Sequence, residues 1–416
     1  MKPVNLYLMD MSFADNTSGV DRYIRTLSKS LKAYPDINIV RINLLYDDSL
    51  LRHRTRRFGR YTEVTIPIPR ECGAIISDKY RLTRYNEQIY RIAAPMFAAD
   101  KGRNIIHIHT LNLIDLAMYI KSRTGCKIIT HLHCIPWKDL YNADRTKFNE
   151  LYALQAERKD VSEHKHRYLT NNSELQAYRD ADHIICVTRC AVDFLRDTMG
   201  ITEDKITVIF NGIDDFDDGG GRRKKGSDDK FELLYVGILS DSKGLNYISD
   251  AMRKARSRGC KLSLTVAGKV SAEQAAEIKE NNRDLELEIL GRISFDELTR
   301  HYKRCDIGII ASLQEQCSYV AIEMAMFGMP IITTAVDGLD EMFTDGEDAL
   351  KTGVRFSKIR SLTVDTDSMA DKIVSLVRDP KLRERLGRNA RHTYEKRFSL
   401  NRMAERTVEV YNEIFE

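Results

Sequence analysis

The sequence predicts the α/β class, as two open parallel sheets in tandem, each covered by helices on both faces. Three observations carry this expectation. Short apolar runs alternate with amphipathic helical stretches along the whole chain, the pattern of parallel strands buried on both sides. At 416 residues the chain exceeds what one core usually organises, and a prior of roughly 150 residues per domain favours two units. Between the two sets of strands, Asp214 to Lys230 reads DDFDDGGGRRKKGSDDK, with no large aliphatic residue, three consecutive glycines and blocks of opposite charge. That is the composition of a flexible linker.

Taken in order, strands are expected at 4–9, 37–44, 104–109, 126–132, 183–188 and 206–209 in the first unit. In the second they are expected at 231–237, 261–268, 285–290, 307–311 and 331–334. The predicted organisation is a domain over 1–213, a linker over 214–230, a second domain over 231–396 and a terminal helix within 397–416. That helix spaces Leu400, Met403, Ala404, Val408, Tyr411 and Ile414 along one apolar face and needs a partner surface. Lys138 to Asp180 is polar without a strand pattern and reads as two helices, bordering an acceptor or simply solvated.

Hydrophobic residues make up 43% and charged residues 30% of the chain, an ordinary globular composition, and no apolar run approaches the ~18 residues of a membrane span. Asp10 interrupts the first apolar stretch, so no signal peptide and a cytoplasmic location are expected. Eight cysteines without a C-x-x-C pair, several of them in apolar runs (Cys126, Cys186, Cys305), read as buried thiols. A net charge of +4 with no aromatic-basic array gives no reason to expect nucleic acid as a partner. Arg52 to Arg60 packs five arginines into nine positions and reads as a solvated loop. Its charge also suits a phosphorylated acceptor or an anionic membrane surface, which would place the chain at the inner membrane face.

Chemistry concentrates in Ala311 to Pro330, ASLQEQCSYVAIEMAMFGMP. The apolar run before it is a buried strand, Tyr319 to Phe327 reads as a buried helix closed by Gly328 and Pro330, and Glu315 and Glu323 fall on either side of the junction. A helix start favours an anion, and two carboxylates accept hydrogen bonds from hydroxyls, so the junction suits a diphosphate joined to a polyol; solvated glutamates are the plain alternative. His107, His109, His131 and His133 end two strands of the first unit. Their spacing matches no known ligand set, and successive positions are taken to face apart, so no metal site is expected. Asp365-Thr366-Asp367 precedes a helix and reads as capping.

In their order along the chain, these segments resemble the retaining glycosyltransferases of family 4, with two Rossmann-like domains facing each other across a cleft (the GT-B fold) and a C-terminal helix crossing back to the first domain. Ser18-Gly19-Val20 is similar to the family's glycine loop, where a backbone N–H approaches the donor diphosphate. His133, with His131 as the alternative, aligns with the histidine that faces the donor sugar. Val208 to Asp214 resembles the segment leading to the hinge, with Phe210 in place of proline. Tyr235 to Leu245 resembles the loop carrying an arginine and then Lys-Gly: Lys243 is present, and Ile238 occupies the arginine position. Leu290 to Ile293 is similar to the turn contacting the nucleobase. Glu315 and Glu323 fall on the family's glutamates for sugar and ribose hydroxyls, with Ser318, Tyr319 and Val320 supplying amides to the diphosphate. Gly338 to Glu341, Asp345-Gly346 and Arg397 to Ser399 continue the pattern.

The resemblance implies a metal-independent hexosyltransferase with a UDP- or GDP-linked sugar donor, no further cofactor, and a glycan or lipid-linked acceptor, as in polysaccharide biosynthesis. His133, Glu315 and Lys243 are the expected catalytic groups, with Arg22 or Arg292 as substitutes for the missing arginine. The alternatives are a silent member acting as a scaffold, motivated by Ile238 and Ser18, and a nucleotide-sugar epimerase.

Overall fold

The computed structural model describes residues 3–13, 19–47, 49–68, 79–97, 102–135, 173–220, 225–226, 228–356 and 362–416. Ser18 and the polar stretch up to residue 172 lie outside them. Contacts divide the chain into two compact units, meeting in sequence between Phe210 and Asn211.

The first unit runs β1 (Val4–Phe13), α1 (Gly19–Ser30), β2 (Ile37–Tyr46), β3 (Arg54–Phe58), β4 (Tyr61–Ile68), α2 (Lys79–Ala93), β5 (Arg103–Ile108), α3 (Ile114–Thr124), β6 (Lys127–Leu132), α4 (Ser173–Asp180), β7 (His183–Cys186), α5 (Arg189–Asp197) and β8 (Ile206–Val208). The strands form one sheet in the order β3-β4-β2-β1-β5-β6-β7-β8, parallel except for the β3–β4 pair. Arg54 to Phe58 is thus an edge strand and not the expected loop. All five of its residues are exposed, and its arginines discourage a further strand from pairing there. The apolar pattern missed it because neither face is buried.

The second unit runs β9 (Phe231–Val236), α6 (Leu245–Ser257), β10 (Leu262–Ala267), α7 (Ala272–Asn281), β11 (Glu286–Gly291), α8 (Phe295–Arg304), β12 (Ile307–Ile310), α9 (Tyr319–Met326), β13 (Ile331–Thr334), α10 (Asp337–Met342), β14 (Leu350–Thr352), a hairpin of β15 (Val354–Phe356) and β16 (Leu362–Val364), α11 (Thr366–Arg378) and α12 (Pro380–Thr393). Its sheet is ordered β11-β10-β9-β12-β13-β14. All four residues of β12 are buried, as a strand covered on both faces requires. Asp365 caps α11 by accepting from the Ser368 amide at 3.1 Å, in line with the capping expected of Asp365-Thr366-Asp367.

The expected linker does not stand free where it is described. Asp215 pairs with Arg391 and Asp218 with Lys303. The Phe216 ring packs on Phe295 at 4.9 Å, and Lys225 reaches Asp306 at 2.6 Å. Composition reads the flexibility of an isolated segment, and long-range charge matching is invisible to it.

The last helix, α13 (Leu400–Glu413), belongs to the first unit and packs against α1. It buries Leu400, Met403, Ala404, Thr407, Val410 and Tyr411. Thr407 and Val410 replace the expected Val408 and Ile414, because the stripe follows the 3.6-residue helical period from Met403 and Ala404.

Candidate functional site

In the second sheet the chain runs β9, β10, β11 in one direction and returns to the other side of β9 with β12. Such a reversal opens a crevice at the carboxyl ends of the strands, where open α/β sheets bind ligands. Lys243 follows β9 and Glu315 follows β12, so the two straddle the reversal. Gly244 has φ +73°, and a Cβ there would lie 2.2 Å from the Ala311 carbonyl oxygen. Only glycine lets the two loops approach so closely. The Leu313 amide donates to the Ser242 carbonyl at 2.8 Å, completing the clasp. Lys243 Nζ consequently donates to Glu315 Oε2 at 2.5 Å, with the two side chains 30% and 19% exposed.

The Glu315 loop is itself pinned. The Gly338 amide donates to the Glu315 carbonyl at 2.9 Å, and Asn211 Nδ2 donates to the Cys317 carbonyl at 2.9 Å. Asp337, before Gly338, holds φ +41°, a strained value of the kind kept near functional loops. Ser318 caps α9, its hydroxyl accepting from the Ala321 amide at 3.4 Å. The helix has no internal acceptors for its first amides, so the Tyr319 and Val320 N–H groups mark a positive end beside Lys243 and Glu315.

Glu323 sits one turn further in and is only 2% exposed. The Tyr302 hydroxyl donates to its Oε2 at 2.5 Å. The two expected glutamates are therefore held differently, Glu315 by a cation at the loop and Glu323 by a tyrosine inside the core. Arg292 is exposed and Ile293 half-buried, just past Gly291 at the end of β11. Ile238 is 67% exposed, an apolar side chain in solvent where the resemblance expects a cation. A cavity of about 780 Å³ opens at the opposite edge of this sheet, beside Phe231, Asp306 and Pro330. Most of its lining cations are already engaged: Lys225, Lys303, Arg304, Arg388 and Arg391 pair with carboxylates, and Arg383 donates to backbone carbonyls. The carboxyl edge remains the candidate site.

The first sheet reverses between β1 and β5. Gly19 opens α1 there, exposed, with nothing within 4 Å of a Cβ built on it. Neither packing nor backbone conformation calls for a glycine, and Val20 beside it is half-buried.

All four histidines lie together, which corrects the expectation from the sequence. Residues two apart on a strand share a face, so His107 and His109 point the same way, as do His131 and His133. The rings of His131 and His133 stack at 4.0 Å and those of His107 and His109 lie at 4.2 Å. His107 Nδ1 meets the Tyr411 hydroxyl at 2.8 Å, its Nε2 lies 3.1 Å from His131 Nδ1, and His109 Nδ1 lies 3.0 Å from His133 Nε2. Tyr23 of α1 packs edge-on against His131 and His133. Burial holds the rings neutral, pushing His107 and His133 down to about 3 and His109 and His131 well below the usual imidazole value.

On the same face of the sheet lies a network the sequence reading missed. Arg41 donates to Asp10 Oδ1 at 3.1 Å and Oδ2 at 2.7 Å, and to Asp21 of α1 at 2.8 Å; Glu63 lies 3.5 Å away. Arg41 and Asp10 are 2% and 1% exposed. Burial pushes the Asp10 carboxyl upward against the pull of Arg41. An arginine inside the apolar run INIVRINLLY was the available signal, since a buried guanidinium needs a carboxylate partner. Among the described residues the cysteines are free, and Cys126, Cys186 and Cys305 are buried as expected.

Residues 17–215 match the family described as Glycosyltransferase Family 4, and residues 221–393 match Glycosyl transferases group 1. The chain is 25% identical over 252 residues to the alpha-D-kanosaminyltransferase of Streptomyces kanamyceticus, covering 58% of this chain and 63% of that one. It is 28% identical over 238 residues to the glycogen synthase of Mycobacterium tuberculosis, covering 56% and 54%. The matches thus span less than two thirds of those relatives' own lengths. Among solved structures, sucrose-phosphate synthase from Thermosynechococcus elongatus aligns with a TM-score of 0.72 at 17% identity, covering 99% of each chain. Anabaena Alr3699/HepE, solved with UDP-glucose, aligns at 0.66 and 15% identity, covering 98% of this chain and 99% of that one. With both halves matched in sequence and two Rossmann-like domains in the fold, the chain belongs to glycosyltransferase family 4, of GT-B type.

Proposed function

We propose that the chain is an enzyme that moves a hexose from a nucleoside diphosphate sugar to a glycan or lipid-linked acceptor, with retention of anomeric configuration and without a divalent cation on the diphosphate. The carrying observation is the Lys243–Glu315 pair at the strand reversal, beside the start of α9. An ammonium has three donors, so Lys243 can keep Glu315 and still face an arriving phosphate. Glu315 then presents its remaining acceptor capacity to sugar hydroxyls. The departing diphosphate gathers negative charge, and a fixed ammonium with the Tyr319 and Val320 amides stabilises it without reorganisation. Retention follows if the acceptor attacks on the leaving-group face and passes its proton to a diphosphate oxygen, so that no side-chain base is required. His133, neutral, faces the sugar as a hydrogen-bonding group. UDP is the preferred carrier because Alr3699/HepE was solved with UDP-glucose.

Calorimetric titration with UDP, GDP and UDP-glucose tests this. Binding should appear for one nucleotide series and weaken in Lys243→Ala. A chain that binds no nucleotide, with Ile238 or with Ile238→Arg, would be a silent scaffold. Turnover that collapses in chelator and returns with magnesium or manganese would overturn the cation-free diphosphate.

A further inference from the structure

The histidine quartet lies beneath α1 and α13, in the interior of the first unit. His107, His109 and His131 are 0%, 4% and 1% exposed, and one ring nitrogen of each lies within 4.8 Å of the other two. His109 Nε2 and His131 Nε2 are buried without a hydrogen-bond partner among the described residues. A buried ring nitrogen left so is costly unless something binds it. We propose that His107, His109 and His131 form a zinc site, His109 and His131 offering their unpartnered Nε2 and His107 the Nε2 that it otherwise shares with His131 Nδ1.

Several features fit that ion. Zinc takes imidazole nitrogen at about 2.0–2.1 Å in a tetrahedral shell, which sets ligand nitrogens about 3.4 Å apart. The ring nitrogens lie within 4.8 Å of one another and would close to that spacing as the ion binds. Ligating histidines commonly hold a partner on the other nitrogen, which fixes tautomer and ring plane. Here Tyr411 occupies Nδ1 of His107 at 2.8 Å and His133 occupies Nδ1 of His109 at 3.0 Å. A doubly charged ion also needs counter-charge, and the adjacent network supplies part of it. Asp10, Asp21 and Glu63, with Arg41 and with the exposed Arg25 that also pairs with Asp21, sum to −1 when ionised, and Asp10 directly follows Met9, whose carbonyl accepts from the His109 amide at 2.9 Å. Three neutral imidazoles leave a fourth position open. The ion would clamp the ends of β5 and β6, and with them His133, and takes no part in the phosphate role assigned to Lys243.

The test uses the tag-free full-length chain, titrated with Zn²⁺, Mg²⁺ and Co²⁺. Uptake of one zinc per chain, a thermal midpoint raised by zinc but not magnesium, and a tetrahedral-type visible spectrum with cobalt are the expected results. His109→Asn and His131→Asn should each weaken zinc binding by more than about 100-fold, beyond what losing an outer partner does. Cys134→Ser and His53→Asn should leave it intact. Absence of stoichiometric uptake by the unmodified chain, or unchanged uptake in both histidine variants, overturns the site. Should either variant fail to fold, X-ray absorption at the zinc edge of the unmodified chain decides. Nitrogen ligands at about 2.0–2.1 Å support it, and a sulfur-containing or all-oxygen shell overturns it.

Discussion

Two glycines at the two strand reversals should behave in opposite ways when each is replaced by alanine. At Gly244 the backbone is left-handed and the new Cβ would meet the Ala311 carbonyl oxygen at 2.2 Å. Left-handed backbone costs a non-glycine residue about 1–2 kcal/mol, and relieving a backbone overlap adds to that, so Gly244→Ala should destabilise the second unit by at least about 2 kcal/mol. The clasp carrying Lys243 must also shift, and a displacement of about 1 Å at such a group lowers turnover on the order of 100-fold. At Gly19 nothing lies within 4 Å, so the methyl group is free of clashes. Gly19→Ala should leave stability unchanged or raise it by about 0.4–1 kcal/mol through the unfolded chain. If a donor phosphate approaches the helix start there, the methyl group intrudes and a charge-assisted hydrogen bond worth about 1.5–3 kcal/mol weakens, roughly a 10- to 150-fold loss in kcat/KM. Scanning calorimetry and initial-rate kinetics on the same preparations separate the two. Full turnover in a stable Gly19→Ala would refute the placement of phosphate at α1, and an unperturbed melt in Gly244→Ala would refute the clasp.

Lys243→Ala should reduce turnover on the order of 100-fold or more, the scale of losing a preorganised transition-state donor; undiminished initial rates would show that the diphosphate lies elsewhere. Glu323→Gln keeps an acceptor for the Tyr302 hydroxyl, so it should fold normally and weaken free nucleoside diphosphate by roughly tenfold. Glu315→Ala should spare free nucleotide and harm transfer, and equal effects of the two in calorimetric titration would end that division of labour. Arg41→Met leaves Asp10 buried without its cation, while Asp21 keeps only the exposed Arg25, and should cost about 3–5 kcal/mol; a chemical denaturation midpoint matching the parent would show that water reaches the network.

The sequence made the strands legible wherever both faces are apolar, as in Ile307-Gly308-Ile309-Ile310. Lys243 and Glu315 were legible because their neighbours are glycines and helix signals with a fixed order along the chain. β3 was illegible because Arg-Thr-Arg-Arg-Phe has no buried face to pattern. The binding of Asp215 and Asp218 to the second unit was illegible for another reason: an ion pair between residues far apart in sequence leaves no local trace. For the histidines the sequence did hold the information. The two-residue spacing of His107 with His109, and of His131 with His133, places each pair on one face, and the strand adjacency then brings the pairs together.

The buried polar stripe of the first unit connects these observations. Replacing a buried ion network by apolar residues of similar volume is often neutral or stabilising, so packing alone gives no reason to place Arg41 and Asp10 beneath α1 with Asp21 on its inner face. Their geometry supplies one. Asp21 is the third residue of α1 and is tied to Arg41 at 2.8 Å, while Tyr23, two residues on, is wedged edge-on against His131 and His133. The start of α1 is therefore fixed in position by charge and in orientation by ring packing, and Gly19 stands two residues before the anchored aspartate. If the Gly19 amide meets a donor phosphate, it must be held before the phosphate arrives, because reorganisation at that moment forfeits the electrostatic gain. In the second unit a backbone clasp at Gly244 holds Lys243, and in the first a buried network holds Gly19. On that reading the two units would meet the same requirement by different means, close backbone packing in one and desolvated charge in the other. That is why the first fails by unpairing a buried carboxylate and the second by displacing a loop.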